Sequence, residues 1–285
     1  MRFGLALGGG GARGAAHIGV LMELERHGLW PDVVTGTSIG GLVGALVAAG
    51  LHSQEIKEVF AEMRFGKMYS LPWQKPAVMD NHKLEMLLEK SIGRPTFSDL
   101  EIPLAVMTTI LEERKEFVFE EGDVVTAVLA TTAFPVALPP VRWQNQTLID
   151  GGVLNNTPFD VARQRGADIV LAVDLANSAP YGTPVEAPKK SNLLVRLLSR
   201  AQGDPMYQAV STLADILTYQ NVIDHMEQCP PDLLLRPEIG TIGLFDFHLL
   251  DEGIEVGLKA AKDAEETLAG WSRQLAEAPV LKEVG

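Results

Sequence analysis

Cysteine, positive charge and long apolar runs are all scarce in this chain of 285 residues. Its one cysteine, Cys229, has no partner for an intramolecular disulfide, which suits a reducing compartment. Lysine and arginine number 24 against 37 aspartates and glutamates, a net charge of −13 that would repel phosphate backbones and anionic membrane surfaces over most of the protein. We therefore expect no nucleic-acid partner.

The apolar segments are too short for export or for insertion into a membrane. Phe3–Leu7 has five residues before glycines interrupt it, whereas the apolar region of a secretory signal needs about 7–15. The longest weakly polar stretch, Ile39–Leu51, contains four glycines and is shorter than the roughly 18–20 residues of a membrane span. We expect a cytoplasmic protein whose contact with a membrane surface is at most transient and peripheral.

Metal-ligand patterns are also missing. The six histidines are scattered along the chain, and together with the single cysteine they show none of the spacings that are typical of metal sites. We therefore expect no metal and no cofactor. The oligomeric state is left open by the sequence.

Strand and helix signals alternate from the first residues onward, in a composition typical of globular proteins (46% hydrophobic and 21% charged residues). Arg2–Leu7, Val33–Thr35 and Ile169–Asp174 are short apolar runs that predict buried strands. Ala15–His27 and Ile39–Ala49 are predicted helices, the first from its apolar spacing and the second as a small-residue segment closed by glycine. This alternation favours an α/β fold with a mainly parallel sheet covered by helices on both faces.

The rest of the chain continues this pattern. Further predicted helices are Glu55–Met63, His82–Lys90, Pro158–Arg165, Leu193–Leu198, Val210–Met226 and Ile254–Leu268, and further predicted strands are Pro103–Ile110, Glu116–Glu120 and Leu233–Pro237. Asn177–Ser191, with three prolines, resembles a linker. We expect a single domain over residues 1–285, in which a helical portion (about 190–285) packs on a motif-bearing core (about 1–175).

The first glycine motif lies between a predicted strand and a predicted helix. Gly9, Gly11 and Gly14 fit the pattern G-x-G-x-x-G. Beyond forming a tight turn, such a loop brings backbone N–H groups towards a negative group, either a dinucleotide pyrophosphate or the oxyanion of an acyl transfer. A dinucleotide site also needs an acidic residue at the end of the second strand, where Thr35–Ser38 stands instead.

The second motif, Gly36-Thr37-Ser38-Ile39-Gly40, fits G-x-S-x-G and also lies between a strand and a helix. In a nucleophile elbow the serine occupies a strained turn that exposes its Oγ, and small residues at the glycine positions relieve the crowding of helix against strand. The helix directs its positive end at the serine and at a developing oxyanion. This context favours Ser38 as a nucleophile over an ordinary N-cap serine.

The third motif is Asp150-Gly151-Gly152, which follows the apolar pair Leu148-Ile149. The pattern predicts a carboxylate that is presented on a turn at the end of a strand. An isolated aspartate of this kind is most often a β-turn residue. Together with a serine nucleophile, Asp150 becomes a candidate base or a group that orients the base.

At these motifs the sequence resembles the patatin-like phospholipase family, most of all its small bacterial serine esterases of the patatin-like or NTE type. A fourth segment, Ala130–Pro135, resembles the family's Ala-Ser-x-x-x-Pro block, with Thr131 in place of the usual serine. The resemblance covers residues 1–175 well and is weak over Leu233–Leu268. It implies a three-layer α/β/α fold and a Ser–Asp dyad that hydrolyses acyl esters of lipids.

The resemblance also implies a role for each residue of the motifs. Ser38 is the expected nucleophile and Asp150 the expected base; the oxyanion hole is assigned to Gly9, Gly10, Gly11, Arg13 and Gly14, the elbow to Gly36, Thr37, Ile39 and Gly40, and the turn after the base to Gly151 and Gly152. The N–H groups of Gly10 and Gly11 are the expected donors, with Arg13 holding the loop or adding charge. Because an ordinary aspartate titrates near 3.9, such a dyad needs a desolvated site and a strong oxyanion hole.

Two other functions are also compatible with the sequence. The order Ser38, Asp150, His248 also fits the Ser-Asp-His triad of a soluble carboxylesterase of the α/β-hydrolase type, and His225 is a further histidine to test. A nucleotide-binding regulatory protein would use the glycine loop for phosphate and leave Ser38 idle.

The expected substrate of the dyad is an acyl ester of a phospholipid or lysophospholipid. Two segments are candidates for contact with it or with a membrane surface. Met63–Trp73 is an apolar, aromatic loop that could cover the site, and Asn192–Arg200 is a short basic amphipathic segment. Packing on the domain is the alternative for both.

Overall fold

The computed structural model describes residues 1–63, 81–135, 138–176 and 205–277. Within this part of the chain, eight strands form one sheet: β1 (Phe3–Leu7), β2 (Val33–Thr37), β3 (Leu104–Ile110), β4 (Lys115–Phe119), β5 (Val141–Trp143), β6 (Gln146–Asp150), β7 (Ile169–Val173) and β8 (Leu233–Leu235). The described helices are α1 (Ala15–Arg26), α2 (Ile39–Ala48), α3 (Ser53–Glu62), α4 (Asn81–Ile92), α5 (Val124–Thr131), α6 (Phe159–Gln164), α7 (Pro205–Gln228), α8 (Leu250–Asp263) and α9 (Glu265–Glu277).

The central strands of the sheet are parallel. The strand order is β5-β6-β3-β2-β1-β7-β8, and β4 pairs with β3 outside this path. Strand β1 pairs in parallel with β2 and β7, β2 with β3, and β7 with β8, whereas β4, β5 and β6 form antiparallel pairs at one side.

Helices cover both faces of this sheet. Leu5 and Leu7 of β1 join the larger core with α1 and α2, whereas Ala6 joins a smaller core with Phe159 of α6 and Val222 of α7. All residues of β1, β2, β3 and β7 are buried, as is typical of strands that are covered on both sides. The predicted three-layer α/β/α fold with a mainly parallel sheet is therefore confirmed.

The two glycines Gly19 and Gly257 let α8 pack closely against α1. A Cβ on Gly19 would lie 2.1 Å from the main-chain oxygen of Ile254, and one on Gly257 would lie 1.9 Å from that of Ala16. The helices therefore meet backbone to backbone. Since β8 also extends the sheet beside β7, the C-terminal elements contribute to the same large core as β1.

Strands β2 and β6 approach each other along one edge of β3. Strand β4 pairs along the opposite edge, because its partners in β3 overlap with those of both β2 and β6. Strand β2 is parallel and β6 antiparallel to β3, so their C-terminal ends meet, with Thr37 opposite Met107 and Asp150 opposite Thr108. This register places the second and third sequence motifs side by side.

Most of the predicted elements agree with the structure to within a few residues. The prediction of one helix near Ile254–Leu268 is wrong, because Ala264 leaves the helical conformation and separates α8 from α9. Helix α5 and strand β5 were not predicted: α5 is rich in β-branched residues, which favour strands, and β5 has three residues. In the described part of the chain, no helix combines the length and the apolar character that crossing a membrane requires.

Some predicted segments lie outside the described residues. These are the linker Asn177–Ser191, the helix Leu193–Leu198, the segment Asn192–Arg200 and all of the candidate loop Met63–Trp73 except Met63.

Candidate active site

The glycine loop leaves two N–H groups without an internal partner. Gly9 donates its N–H to a main-chain oxygen in the turn after β6 at 3.0 Å, and Ala12 donates to the main-chain oxygen of Leu244 at 2.8 Å. Among the described residues, the N–H groups of Gly10 and Gly11 between them have no acceptor. Both glycines line the same cavity as Ser38, so these two groups are available to a ligand.

Glycine is required at two positions of this loop for different reasons. Gly11 has a φ of 58°, and a Cβ there would lie 2.3 Å from the main-chain oxygen of Leu244. A Cβ on Gly14 would lie 2.3 Å from Cγ1 of Ile39, the residue that follows Ser38. The loop is therefore packed directly on the segment that carries the serine.

Ser38 occupies a strained turn between β2 and α2. Its φ of 54° and ψ of −125° are sparsely populated for a residue with a side chain, and nucleophile elbows hold their serine in such a conformation. A Cβ on Gly36 would lie 2.4 Å from the main-chain oxygen of Gly40, and one on Gly40 would lie 2.1 Å from that of Leu7. Both glycines of the motif are thus needed for strand and helix to approach each other.

A threonine hydroxyl holds this elbow. The main-chain N–H of Ser38 donates to Oγ1 of Thr131 at 2.8 Å, and the Thr131 hydroxyl donates to the main-chain oxygen of Met107 at 2.5 Å. Thr131 is the residue at which the chain departs from the family's usual serine. The contact uses the hydroxyl group, which serine and threonine share.

Asp150 is a buried carboxylate that faces Ser38. Its exposed fraction is 2%, and its Oδ1 accepts the N–H of Gly152 at 2.8 Å. Burial raises the pKa of Asp150 from 3.8 to about 6, although hydrogen bonds from the Ser38 side chain and from the Gly152 N–H act in the opposite direction. The carboxylate is therefore a stronger base than an exposed aspartate and is still mostly ionised at neutral pH.

Asn156, six residues after Asp150, holds the glycine loop at Gly9 and lines the same cavity. Its main-chain oxygen accepts the N–H of Gly9 at 3.0 Å, and its side-chain amide donates to the main-chain oxygen of Gly9 at 3.4 Å. A Cβ on Gly9 would lie 2.6 Å from Oδ1 of Asn156 and 3.1 Å from Cβ of Ser38. The Gly9 backbone is therefore held between the Asn156 amide and the serine.

Arg13 forms a buried ion pair with helix α7. Its Nη1 and Nη2 donate to the two carboxylate oxygens of Asp215 at 2.5 and 3.1 Å, and its Nε donates to the main-chain oxygen of Ile242 at 3.0 Å. Arg13 is 2% exposed, and all three nitrogens of its guanidinium donate hydrogen bonds. Arg13 therefore holds the loop in place and has its charge neutralised by Asp215.

Helix α7 also contacts the turn that follows Asp150. The side-chain amide of Asn221 donates to the main-chain oxygens of Val153 at 2.9 Å and of Gly152 at 3.2 Å. Since Asp215 lies on the same helix, α7 connects the glycine loop with the aspartate turn.

Ser38 and Asp150 open onto a cavity of about 110 Å³ with a largely apolar lining. Leu42 of α2, Leu84 of α4 and Leu138 contribute to the wall. Such a surface suits the acyl chain of a substrate better than a nucleotide phosphate.

The histidines lie elsewhere. None of them is among the described residues that line the cavity. Nδ1 of His248 faces Asp246 at 3.8 Å, and His225 faces Asp160 and Glu116 at 3.5 and 3.6 Å. Within the part of the chain that the structure describes, no Ser-His-Asp arrangement is formed.

One group of possible metal ligands, Glu23, His27 and Glu265, lies away from the cavity lining. The guanidinium of Arg26 already occupies it, with Nη2 donating to Glu23 at 2.5 Å and to Glu265 at 2.6 Å. A metal ion would have to displace this cation.

The structure thus brings the three sequence motifs together around one cavity. Ser38, Asp150, Gly9, Gly10, Gly11 and Arg13 all line it. Asn156, Asp215 and Asn221 were not singled out from the sequence. The signal for Asn156 was weak (a polar residue close behind the Asp-Gly-Gly turn), and the two residues of α7 show at most helical spacing.

A family model described as patatin-like phospholipase matches residues 5–163. A protein of Candida albicans named lysophospholipase NTE1 is 30% identical over 275 residues, which are 91% of this chain and 20% of that protein. The lysophospholipase NTE1 of Scheffersomyces stipitis is 29% identical over 284 residues, which are 95% of this chain and 18% of that protein. The chain spans about a fifth of the length of these curated relatives.

A solved structure shares the fold. VipD from Legionella pneumophila superposes with a TM-score of 0.63 at 14% sequence identity, over 95% of this chain and 67% of VipD. At this level of identity the similarity concerns the fold alone.

Proposed function

This chain belongs to the patatin-like phospholipase family, and we propose that it hydrolyses carboxylic esters of phospholipids or lysophospholipids, with Ser38 as nucleophile and Asp150 as base. The observation that carries the proposal is the contact of these two side chains in the lining of a largely apolar cavity. Gly10 and Gly11, whose N–H groups have no acceptor among the described residues, line the same cavity.

Acylation begins with the transfer of the Ser38 hydroxyl proton to the Asp150 carboxylate. The Oγ attacks the carbonyl carbon of the acyl ester, and the carbonyl oxygen becomes an oxyanion that accepts hydrogen bonds from Gly10 and Gly11. The tetrahedral intermediate then expels the alcohol, which takes the proton from Asp150. Ser38 is left as an acyl ester.

Deacylation repeats these steps with water as the nucleophile. Asp150 accepts a proton from the water that attacks the acyl carbon, and the same two N–H groups stabilise the second oxyanion. When the intermediate collapses, the fatty acid leaves and Ser38 Oγ recovers the proton from Asp150. The cycle needs one base, so no histidine takes part.

The burial of Asp150 makes this chemistry feasible without a histidine. A carboxylate with a pKa of about 6 is about nine-tenths ionised at pH 7 and accepts a proton more readily than an ordinary aspartate. The ion pair with Asp215 leaves Arg13 in a structural role, so the stabilisation of the oxyanion depends on the backbone.

Helix α7 offers a surface for contact with lipid beside the cavity. Leu213, Ile216 and Leu217 are 55%, 59% and 43% exposed, and Leu217 also lines the cavity. A transient contact of this face with a lipid aggregate would bring substrate to Ser38. The name lysophospholipase of the curated relatives supports a lipid substrate with one acyl chain.

The proposal is tested by covalent labelling and by turnover. A fluorophosphonate should label the wild-type protein at Ser38, and lysophosphatidylcholine and long-chain p-nitrophenyl esters should be hydrolysed. Ser38→Ala should abolish both, whereas the matched control Ser91→Ala, on α4, should not, because its hydroxyl bonds to the main-chain oxygen of Leu87. Absence of labelling together with absence of hydrolysis in the folded wild-type protein would refute the proposal, and saturable micromolar binding of NAD or FAD would favour the nucleotide alternative.

A further inference from the structure

The orientation of the peptide between Gly9 and Gly10 determines whether the oxyanion hole exists. The N–H of Gly10 is an expected donor, and in a trans peptide it points away from the carbonyl oxygen of Gly9. Whatever holds that carbonyl therefore aims the donor. Glycine residues alone do not fix the orientation, because they allow many backbone conformations.

The groups that hold this stretch come from two different elements. Nε2 of His17 lies 2.8 Å from the main-chain oxygen of Gly8, and because that oxygen can only accept, Nε2 donates. Burial lowers the pKa of His17 to about 4, so the ring is neutral at physiological pH and holds the oxygen without adding charge. The next peptide, which carries the Gly10 N–H, is held by Asn156.

Asn156 is bound to both sides of Gly9. Its main-chain oxygen accepts the Gly9 N–H, and its side-chain amide donates to the Gly9 oxygen. Asn156 is 3% exposed and lines the same cavity as Ser38. Asn155 is equally buried, but its amide donates to Asp160 instead.

We infer that Asn156 is a positioning residue for the oxyanion hole, whose side-chain amide fixes the Gly9 carbonyl and thereby directs the Gly10 N–H at the tetrahedral intermediate. The inference rests on the proposed function. It also links the two halves of the site, since the turn that begins at Asp150 ends at the residue that orients the donor. One segment thus supplies the base and aligns the oxyanion hole.

The test uses Asn156→Leu, which keeps the branching at Cγ but is larger and has no donor, and Asn156→Ala, which removes the side-chain amide. Rates are expressed per molecule that a fluorophosphonate labels at Ser38, so that unfolded protein does not count. We expect kcat to fall by about ten- to a hundredfold, less than the loss of a whole donor, with KM within about threefold. Asn155→Ala, the control from the same turn, should keep kcat within about threefold even if it lowers stability.

A double-mutant cycle separates this role from a structural one. If Asn156 acts through the Gly10 N–H, Asn156→Leu should have little further effect on kcat in a Gly10→Ala background, less than about threefold. Full additivity of the two effects, or a wild-type kcat in both Asn156 variants, would overturn the inference while Ser38-dependent turnover still supports the proposed function. A folded wild-type protein that hydrolyses no acyl ester would overturn both.

Discussion

The main-chain N–H of Ser38 donates to the side chain of Thr131 and is therefore not free to bind an oxyanion. In the glycine loop, the N–H groups of Gly10 and Gly11 have no acceptor among the described residues. In the proposed mechanism, the glycine loop therefore supplies N–H donors for the intermediate, while the turn at Ser38 presents the nucleophile.

Substitution in the glycine loop should lower turnover more than it lowers stability. Gly10 has a φ of 166°, which any residue adopts, but a Cβ there would lie 2.9 Å from Cβ of Leu175 and would displace the loop. We expect Gly10→Ala to lower kcat by up to the 10²–10³-fold that one donor is worth, about 2.7–4 kcal/mol. Steady-state kinetics should be compared with Gly270→Ala, where nothing lies within 4 Å of the new Cβ.

At Gly11, substitution combines crowding with backbone strain. The positive φ and the approach to Leu244 predict a larger loss of stability for Gly11→Ala than for Gly28→Ala, because Gly28 has a similar φ of 66° but lies in open space.

For the Gly10 prediction, a Gly10→Ala enzyme with wild-type kcat would mean that the loop does not carry the donor.

The pH dependence of kcat/KM should report the ionisation of Asp150. Because only the ionised carboxylate accepts the serine proton, activity should fall about tenfold per pH unit below an apparent pKa near 6. A pH–rate profile on a neutral ester substrate measures this limb directly. A flat profile between pH 5 and pH 7 in a folded enzyme would argue against Asp150 as the base.

Asp150→Asn should make the protein more stable at alkaline pH. The folded-state pKa of about 6 exceeds the unfolded value of 3.8, so the stability that this group contributes is complete below pH 3.8 and is lost as the pH rises through 6. Asparagine does not titrate and avoids that loss. At 1.36 kcal/mol per pKa unit, the variant should gain about 3 kcal/mol at pH 8 and about half as much at pH 5.

Urea unfolding of the two proteins at both pH values measures this difference, with Ser38→Ala as the control that leaves the carboxylate in place. An Asp150→Asn protein that is less stable than the wild type at pH 8 would show that the carboxylate is not desolvated as described.

His225 should contribute to stability and not to catalysis. A hydrogen bond with Asp160 raises the pKa of His225, and Glu116 lies on the other side of the ring. Its contribution is therefore complete below pH 6.5 and is lost as the pH rises through the higher folded-state pKa. The difference in unfolding free energy between wild type and His225→Gln should be larger at pH 6 than at pH 8. An equal difference at the two pH values would contradict the ion pair.

The local geometry of the candidate site could be predicted from the sequence. Each motif combines a residue type with a position between strand and helix, which is enough to indicate Ser38 as a nucleophile and the glycine loop as an anion site. The register along β3 could not be predicted, because it depends on the edge of β3 with which β6 pairs. That choice places Thr37 opposite Met107 and Asp150 opposite Thr108.

The contacts that hold the glycine loop and the aspartate turn could not be predicted either, because they join segments that are far apart in the sequence. The ion pair between Arg13 and Asp215 could not be predicted, because the two residues are 202 positions apart in the sequence. Asn156 and Asn221 act on main-chain oxygens, and any residue offers such an oxygen, so no pairing pattern arises. The break between α8 and α9 is hidden because buried Ala261 and Leu268 continue one apolar face across it.

The most direct test of the dyad is the contrast between the base and the histidines. Turnover of a lysophospholipid should be measured for Asp150→Asn, His225→Ala and His248→Ala, with Ser38→Ala as the reference and circular dichroism as the check of folding. A dyad predicts that Asp150→Asn loses several orders of magnitude in kcat, because it cannot accept the serine proton, whereas both histidine variants stay within about tenfold of the wild type. A folded His225 or His248 variant as inactive as Ser38→Ala would contradict the dyad and indicate a Ser-His-Asp triad.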